Sequence, residues 1–213
     1  MSDEPGYIAQ LALNKAQERL QSRLHLDRPV STARVAVGNE IKVKISMKPS
    51  PSPAHLELEH DEQGNPFWVI YIQPAQAERV RQRAIGHEIG EYFGRILRLV
   101  CVNIERYCDL VGDCIRCPDE ALASRSGRLE WEVTDLAREF TIPPTDMFIR
   151  LAYYRKQPAA VVRGSYVRRI GDWSSDSEDW LHHALRGRTH ARRYRLADGG
   201  VGVLPPAQLI EYL

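Results

Sequence analysis

The chain has 213 residues, 43% of them hydrophobic and 27% charged, enough apolar material for one sizeable core or a core with a small appendage. Lys+Arg number 29 against 28 Asp+Glu, and this net charge of +1 favours neither a polyanionic nor a strongly cationic partner. No uninterrupted apolar run approaches a membrane span, and Met1 to Gly6 lack the basic and apolar regions of a secretory signal, so a cytoplasmic protein without membrane contact is expected.

From Tyr7 to about Leu26, Ile8, Leu11, Ala12, Leu13, Ala16, Leu20 and Leu24 recur at helical spacing and predict an amphipathic first helix. In Val35 to Ile45, residues Ile41, Val43 and Ile45 alternate with charged neighbours and Gly38-Asn39 offers a turn, which reads as a half-buried strand. Pro49, Pro51 and Pro53, interleaved with serines, predict an exposed loop over residues 48–54. Leu56 to His60 and Phe67 to Ile72 flank the turn-forming segment Asp61 to Pro66, the pattern of a β-hairpin. Its second strand leads through Pro74 into a long helix with Val80, Ile85, Ile89 and Phe93 on one side, expected to continue towards Tyr107. Pro118-Asp119-Glu120 is a helix start, and further helices are expected over residues 129–140 and 145–156, each stopping short of a proline. Beyond them lie the apolar run Ala159 to Val162, a short helix capped by Ser174 to Asp176 and a second hairpin around Asp198-Gly199-Gly200. A terminal helix at 207–212 completes the chain.

The stretch His87-Glu88-Ile89-Gly90-Glu91 organises the functional reading. A helix brings positions four apart onto one face, so His87 and Glu91 project side by side with Glu88 one step round. In a zinc hydrolase helix of the form His-Glu-x-x-His the two histidines hold the metal and the glutamate activates water; here the second histidine is Glu91. A hydrolytic zinc needs a third protein ligand, commonly from a separate packed helix, and the segment Leu129 to Pro143 with Glu132 is the donor expected from the sequence.

At this point the chain resembles the ImmA/IrrE-type metallopeptidases, bacterial and phage proteins in which the active helix is followed by one of the form Glu-Ala-Asn/Asp-x-Phe-Ala-x-x-Leu-Leu-Met-Pro. Laid on residues 129–143, that pattern sets Glu132 at the third-ligand position, Leu136-Ala137 at the Phe-Ala pair and Phe140 to Pro143 at the apolar run ending in proline. Val69 to Ile72 looks like the family's strand before the active helix, and Gly90 suits its Leu-Gly-His ending. The likeness covers roughly residues 7–157 and implies a gluzincin-like α+β domain, with a small antiparallel sheet on the active-site helix and a helical bundle after it. It also implies a protease that cuts a DNA-bound repressor, with His87 and Glu132 as metal ligands, Glu88 as general base and Zn2+ as cofactor, while Glu91 stands where the family has its second histidine. Glu91 leaves three readings open: a carboxylate ligand that shifts preference towards Mn2+ or Fe2+, a dead metal site on a domain kept for binding a protein or nucleic acid, or an ordinary helix residue.

Cys101, Cys108, Cys114 and Cys117 fall in one short segment, read as an insertion at about 98–118. Four thiolates could enclose a structural zinc, pair as disulfides or stay as buried thiols. Residues 158–213 read as a basic extension in which Arg163, Arg168, Arg169, Arg186, Arg188, Arg192, Arg193 and Arg195 suit either phosphate contact or a solvated face.

Overall fold

The computed structural model describes residues 5–20, 24–99, 103–125, 133–156, 158–163, 166–170, 181, 192–195 and 201–204. By contact the chain forms two compact units, Met1–Leu129 and Glu130–Leu213, a division earlier in the chain than the one expected at residue 157. Both are mixed α and β. No described helix is long and apolar enough to cross a membrane.

In the first unit, α1 (Pro5–Leu20) buries Ile8, Ala9, Ala12, Leu13 and Ala16, the apolar face that the sequence spacing predicts. The segment expected as a strand from Val35 instead begins with α2 (Thr32–Gly38), and only β1 (Lys42–Ile45) is extended. Tertiary packing overrides the β-branched composition here. Gly38 lies so close to α1 that a Cβ would fall 2.5 Å from the Ala16 Cβ, and buried Asn39 donates from Nδ2 to the Ala12 and Val35 carbonyls at 2.9 and 2.8 Å. The expected hairpin forms from β2 (Ala54–His60) and β3 (Pro66–Ile72), paired from Ala54 with Ile72 to His60 with Pro66. Asp61 closes its turn by accepting from the amides of Gln63 and Asn65 at 2.9 and 2.8 Å.

The sheet order is β1-β3-β2, with β1 parallel to β3, so the sheet is mixed rather than antiparallel. Both β1 and β2 flank β3, which requires the 46–53 connection to return the chain to the start of the next strand. Ala54, Leu56, Ile70 and Ile72 join Ile85, Ile89 and Phe93 of α3 (Glu78–Ile96) in one core. The long helix ends at Ile96, and α4 (Ile104–Arg116) is a separate helix capped by the Asn103 side chain, which accepts from the Arg106 amide at 3.1 Å. The short α5 (Asp119–Ala123) follows.

The second unit contains α6 (Val133–Glu139), α7 (Pro144–Tyr154) and a four-stranded antiparallel sheet in the order β5-β4-β7-β6, from β4 (Ala159–Arg163), β5 (Tyr166–Ile170), β6 (Arg192–Arg195) and β7 (Val201–Leu204). The second expected hairpin is β6 with β7. The expected helices around 174–185 and 207–212 lie outside the described residues, apart from buried helical Leu181. Phe148 of α7 packs on the sheet at Gly202, where a Cβ would meet its ring at 2.6 Å.

Candidate functional site

The helix that packs on α3 is α4, and small residues set how near it comes. A Cβ on Gly86 would lie 2.9 Å from the Gly112 Cα, and one on Gly90 would lie 2.8 Å from the Cys108 Cα. These backbones touch over two turns, which no larger side chain would permit. The segment read from sequence as a cysteine insertion is therefore a core helix: Cys108, Cys114 and Cys117 are buried thiols on it or at its end, and Cys101 lies outside the described residues. Cys108 serves there as a small apolar residue at the crossing.

This close crossing lays a polar row along the two helices. His87, predicted as a metal ligand, has Nδ1 at 3.0 Å from the Asp109 Oδ1 and Nε2 at 3.3 Å from the Glu105 Oε2. Arg83 Nη2 reaches the other oxygen of Asp109 at 3.3 Å, and Arg106 Nη1 approaches that oxygen at 3.8 Å. The hydrogen bond to Asp109 holds the His87 pKa above its ordinary value; burial opposes the rise, and the charges of Asp109, Glu88 and Glu105 add to it. Burial works to raise the pKa of Asp109, yet the His87 bond and the charges of Arg83, His87 and Arg106 bring it below the usual carboxylate value.

Glu88, the predicted general base, is only 5% exposed. Burial first, then a hydrogen bond shared with Glu91 and the charge of Glu91, push its pKa up to about 8, so at neutral pH it is mostly a neutral acid. Its Oε2 is buried without a hydrogen-bond partner. Glu91, the predicted substitute ligand, accepts from Arg95 one turn on, from Nε at 3.0 Å and again from Nη2. Glu132 lies outside the described residues. Among the described residues, no group of three or more His, Cys, Asp or Glu side chains is placed to hold a metal ion. Asp109 and Glu105 were not singled out from the sequence; the signal that finds them is a carboxylate pair four apart on a helix whose small residues match Gly86 and Gly90.

No known protein-family profile matches the chain, and no curated protein sequence does. A solved fold does. A Mycobacterium tuberculosis transcriptional regulator aligns with 93% of this chain and 76% of its own, at a TM-score of 0.55 and 12% identity. At that identity the likeness is one of fold.

The basic residues read from the carboxyl-terminal part divide between described strands and segments outside them. Arg163, Arg168, Arg169, Arg192, Arg193 and Arg195 belong to β4, β5 and β6, and no acidic residue occurs in any of the four strands. Arg186 and Arg188 lie outside the described residues.

Proposed function

We propose that this protein is a non-catalytic regulator built on a metallopeptidase-like domain, acting in transcriptional control by binding a macromolecular partner rather than by cutting one. The observation that carries this reading is the pairing of His87: with Nδ1 on Asp109, the ring nitrogen left to a metal, Nε2, faces the Glu105 carboxylate. A zinc ligand must instead offer a neutral nitrogen lone pair to the ion. Glu91 is engaged by Arg95, which competes with any cation for that carboxylate.

The family pattern can also be laid on the helix that packs against α3. With its final proline on Pro118, it sets Tyr107 at the third-ligand glutamate, Cys108 at the alanine, Asp109 at the Asn/Asp, Val111 at the phenylalanine and Gly112 at the second alanine. On that alignment two of the three ligands of the ordinary site are replaced, by Glu91 and Tyr107. The side chains of this chain then do not make a catalytic zinc centre, and an ion-pair network between α3 and α4 takes its position. The likeness in fold to a transcriptional regulator favours the regulatory setting.

The test is metal content and its dependence on His87. Full-length protein, dialysed against Zn2+, Mn2+ or Fe2+ and then against buffer, is expected to retain no ion whose loss follows His87→Ala. One equivalent retained by the native chain and lost in His87→Ala would overturn the proposal whatever Glu132→Ala does, and loss in Glu132→Ala as well would restore the peptidase reading with Glu132 as a ligand. A Cys114→Ser/Cys117→Ser variant measured in parallel separates any ion held by thiols.

A further inference from the structure

Among the described residues, β1 is an edge strand of the first unit's sheet with β3 as its one neighbour. Successive residues of a strand turn their backbone N–H and C=O groups to opposite sides. The Ser46 amide donates inward to the Ile72 carbonyl at 2.8 Å, so Val43 and Ile45 turn theirs away from β3, and neither makes a backbone hydrogen bond outside its ladder among the described residues. Ile45 is 65% exposed and Met47 94%. Alongside this edge lies a cavity of about 330 Å³, within the size range of a ligand pocket, with Val43, Ile45, Ile72, Ile85, Gln76 and Arg81 in its lining. Gln76 is fixed by donating to the Pro53 carbonyl at 2.9 Å, and its Oε1 is buried without a hydrogen-bond partner among the described residues. Ala75, also in the lining, is held at φ 60°, a strained conformation for a residue with a side chain.

Charge selects the occupant. From Ile41 to Pro53 the chain carries Lys42, Lys44 and Lys48 and no acidic residue. Lys44 reaches Glu59 at 3.0 Å and Lys42 lies over the Phe67 ring at 3.7 Å, both on the outer side of the sheet, and Arg81 meets Glu78 at 3.1 Å. A second copy pairing edge to edge would set lysines against lysines, which is destabilising. Lysines alone can be a device against unwanted pairing; the exposed Ile45 and Met47, beside a cavity lined by Val43, Ile72 and Ile85, are the opposite of such protection.

We propose that β1 and its adjoining cavity dock an extended acidic segment of a partner protein, which adds to the sheet as a fourth strand and lodges a side chain in the cavity. The proposal deepens the regulator reading and rests on it for its biological setting, while its test leaves the His87 network aside.

The probe is a capped heptapeptide alternating Glu and Val, added to the full-length protein, with amide hydrogen exchange at Val43 and Ile45 as the first readout and binding by fluorescence anisotropy as the second. Exchange at both amides is expected to slow by about tenfold or more at saturation, and Lys48→Glu, at an exposed position, is expected to weaken binding by about threefold to tenfold. His87→Ala should leave binding unchanged, so a failure of the metal experiment and a failure here are read separately. The proposal is overturned if neither amide is protected, or if a Lys-Val heptapeptide or a backbone N-methylated Glu-Val peptide binds as well. Protection that appears without peptide and grows with protein concentration would also overturn it, by assigning the edge to a second copy.

Discussion

His87 and Glu88 stood out in the sequence because the stretch nearly matches His-Glu-x-x-His, but their partners did not. Asp109 and Glu105 sit some twenty residues away, and only the close approach of α4 at Gly86 and Gly90 brings them to the imidazole. In this setting both side chains hold protons above their ordinary pKa values. A carboxyl whose pKa is about 8 in the fold and near 4.5 in the unfolded chain binds its proton more tightly when folded. Its contribution to stability is complete below about pH 4.5 and is lost as pH rises towards 8. The raised pKa of His87 acts in the same direction, its contribution being complete below 6.5 and lost above the folded value. The depressed pKa of Asp109 acts oppositely, contributing above 3.8 and being lost as pH falls through its folded value. Glu88→Gln, which imitates the protonated acid, is expected to leave stability near pH 4.5 almost unchanged and to raise it at pH 9 by on the order of 2 kcal/mol, measured by urea unfolding at both pH values. Equal effects at the two pH values would show that folding does not raise the pKa of Glu88.

Three helices share one property at their ends. α2, α3 and α6 each finish with paired reverse hydrogen bonds of the Schellman type: Ile41 to Ala36 and Glu40 to Val37, Leu99 to Gly94 and Arg98 to Arg95, Ile142 to Ala137 and Thr141 to Arg138. The residue that must enter the left-handed region is Glu40, Arg98 and Thr141 in turn, at φ 65°, 54° and 53°, where glycine is the usual choice. Without a glycine to announce the stop, α2 reads as part of a strand and α3 as running on towards Tyr107. The hairpin was readable because Asp61 and Gly64, at φ 83°, supply the turn chemistry openly. Thr141 is β-branched and bears the largest penalty of the three, so Thr141→Gly is expected to stabilise the second unit by about 1 kcal/mol in thermal or denaturant unfolding. Gly90→Ala acts in the other direction. Its Cβ would meet backbone atoms of α4, which cannot turn aside as a side chain can, and a loss of about 3 kcal/mol is expected. The same substitution at Gly6, which has nothing within 4 Å of a Cβ, is the control and should cost far less.

At the scale of the molecule, charge and core both follow the division at Leu129. The first unit carries 17 Lys+Arg against 17 Asp+Glu and the second 12 against 11, so neither has the surplus that holds a protein to nucleic acid by counter-ion release alone. A chain so balanced is better suited to a protein partner, or to local patches such as β1, than to non-specific contact with a polyanion. The boundary expected at residue 157 followed the apparent end of a family likeness; contact places it earlier, because α6 and α7 belong with the second sheet rather than with α3. The first unit's main core runs from Ile8 of α1 to Ile115 of α4 without a residue from beyond Leu129. Arg125 even ties its far end back, donating to the Asp27 carbonyl at 2.8 Å. A unit that completes its own core should fold alone. The fragment Met1–Leu129 is expected to unfold in a single cooperative urea transition and to keep the pH dependence that Glu88 confers, since every described group that sets that pKa lies within it. A gradual, non-cooperative loss of structure would mean that the second unit completes the core. A cooperative transition without the pH dependence would mean instead that residues beyond Leu129 help to bury Glu88.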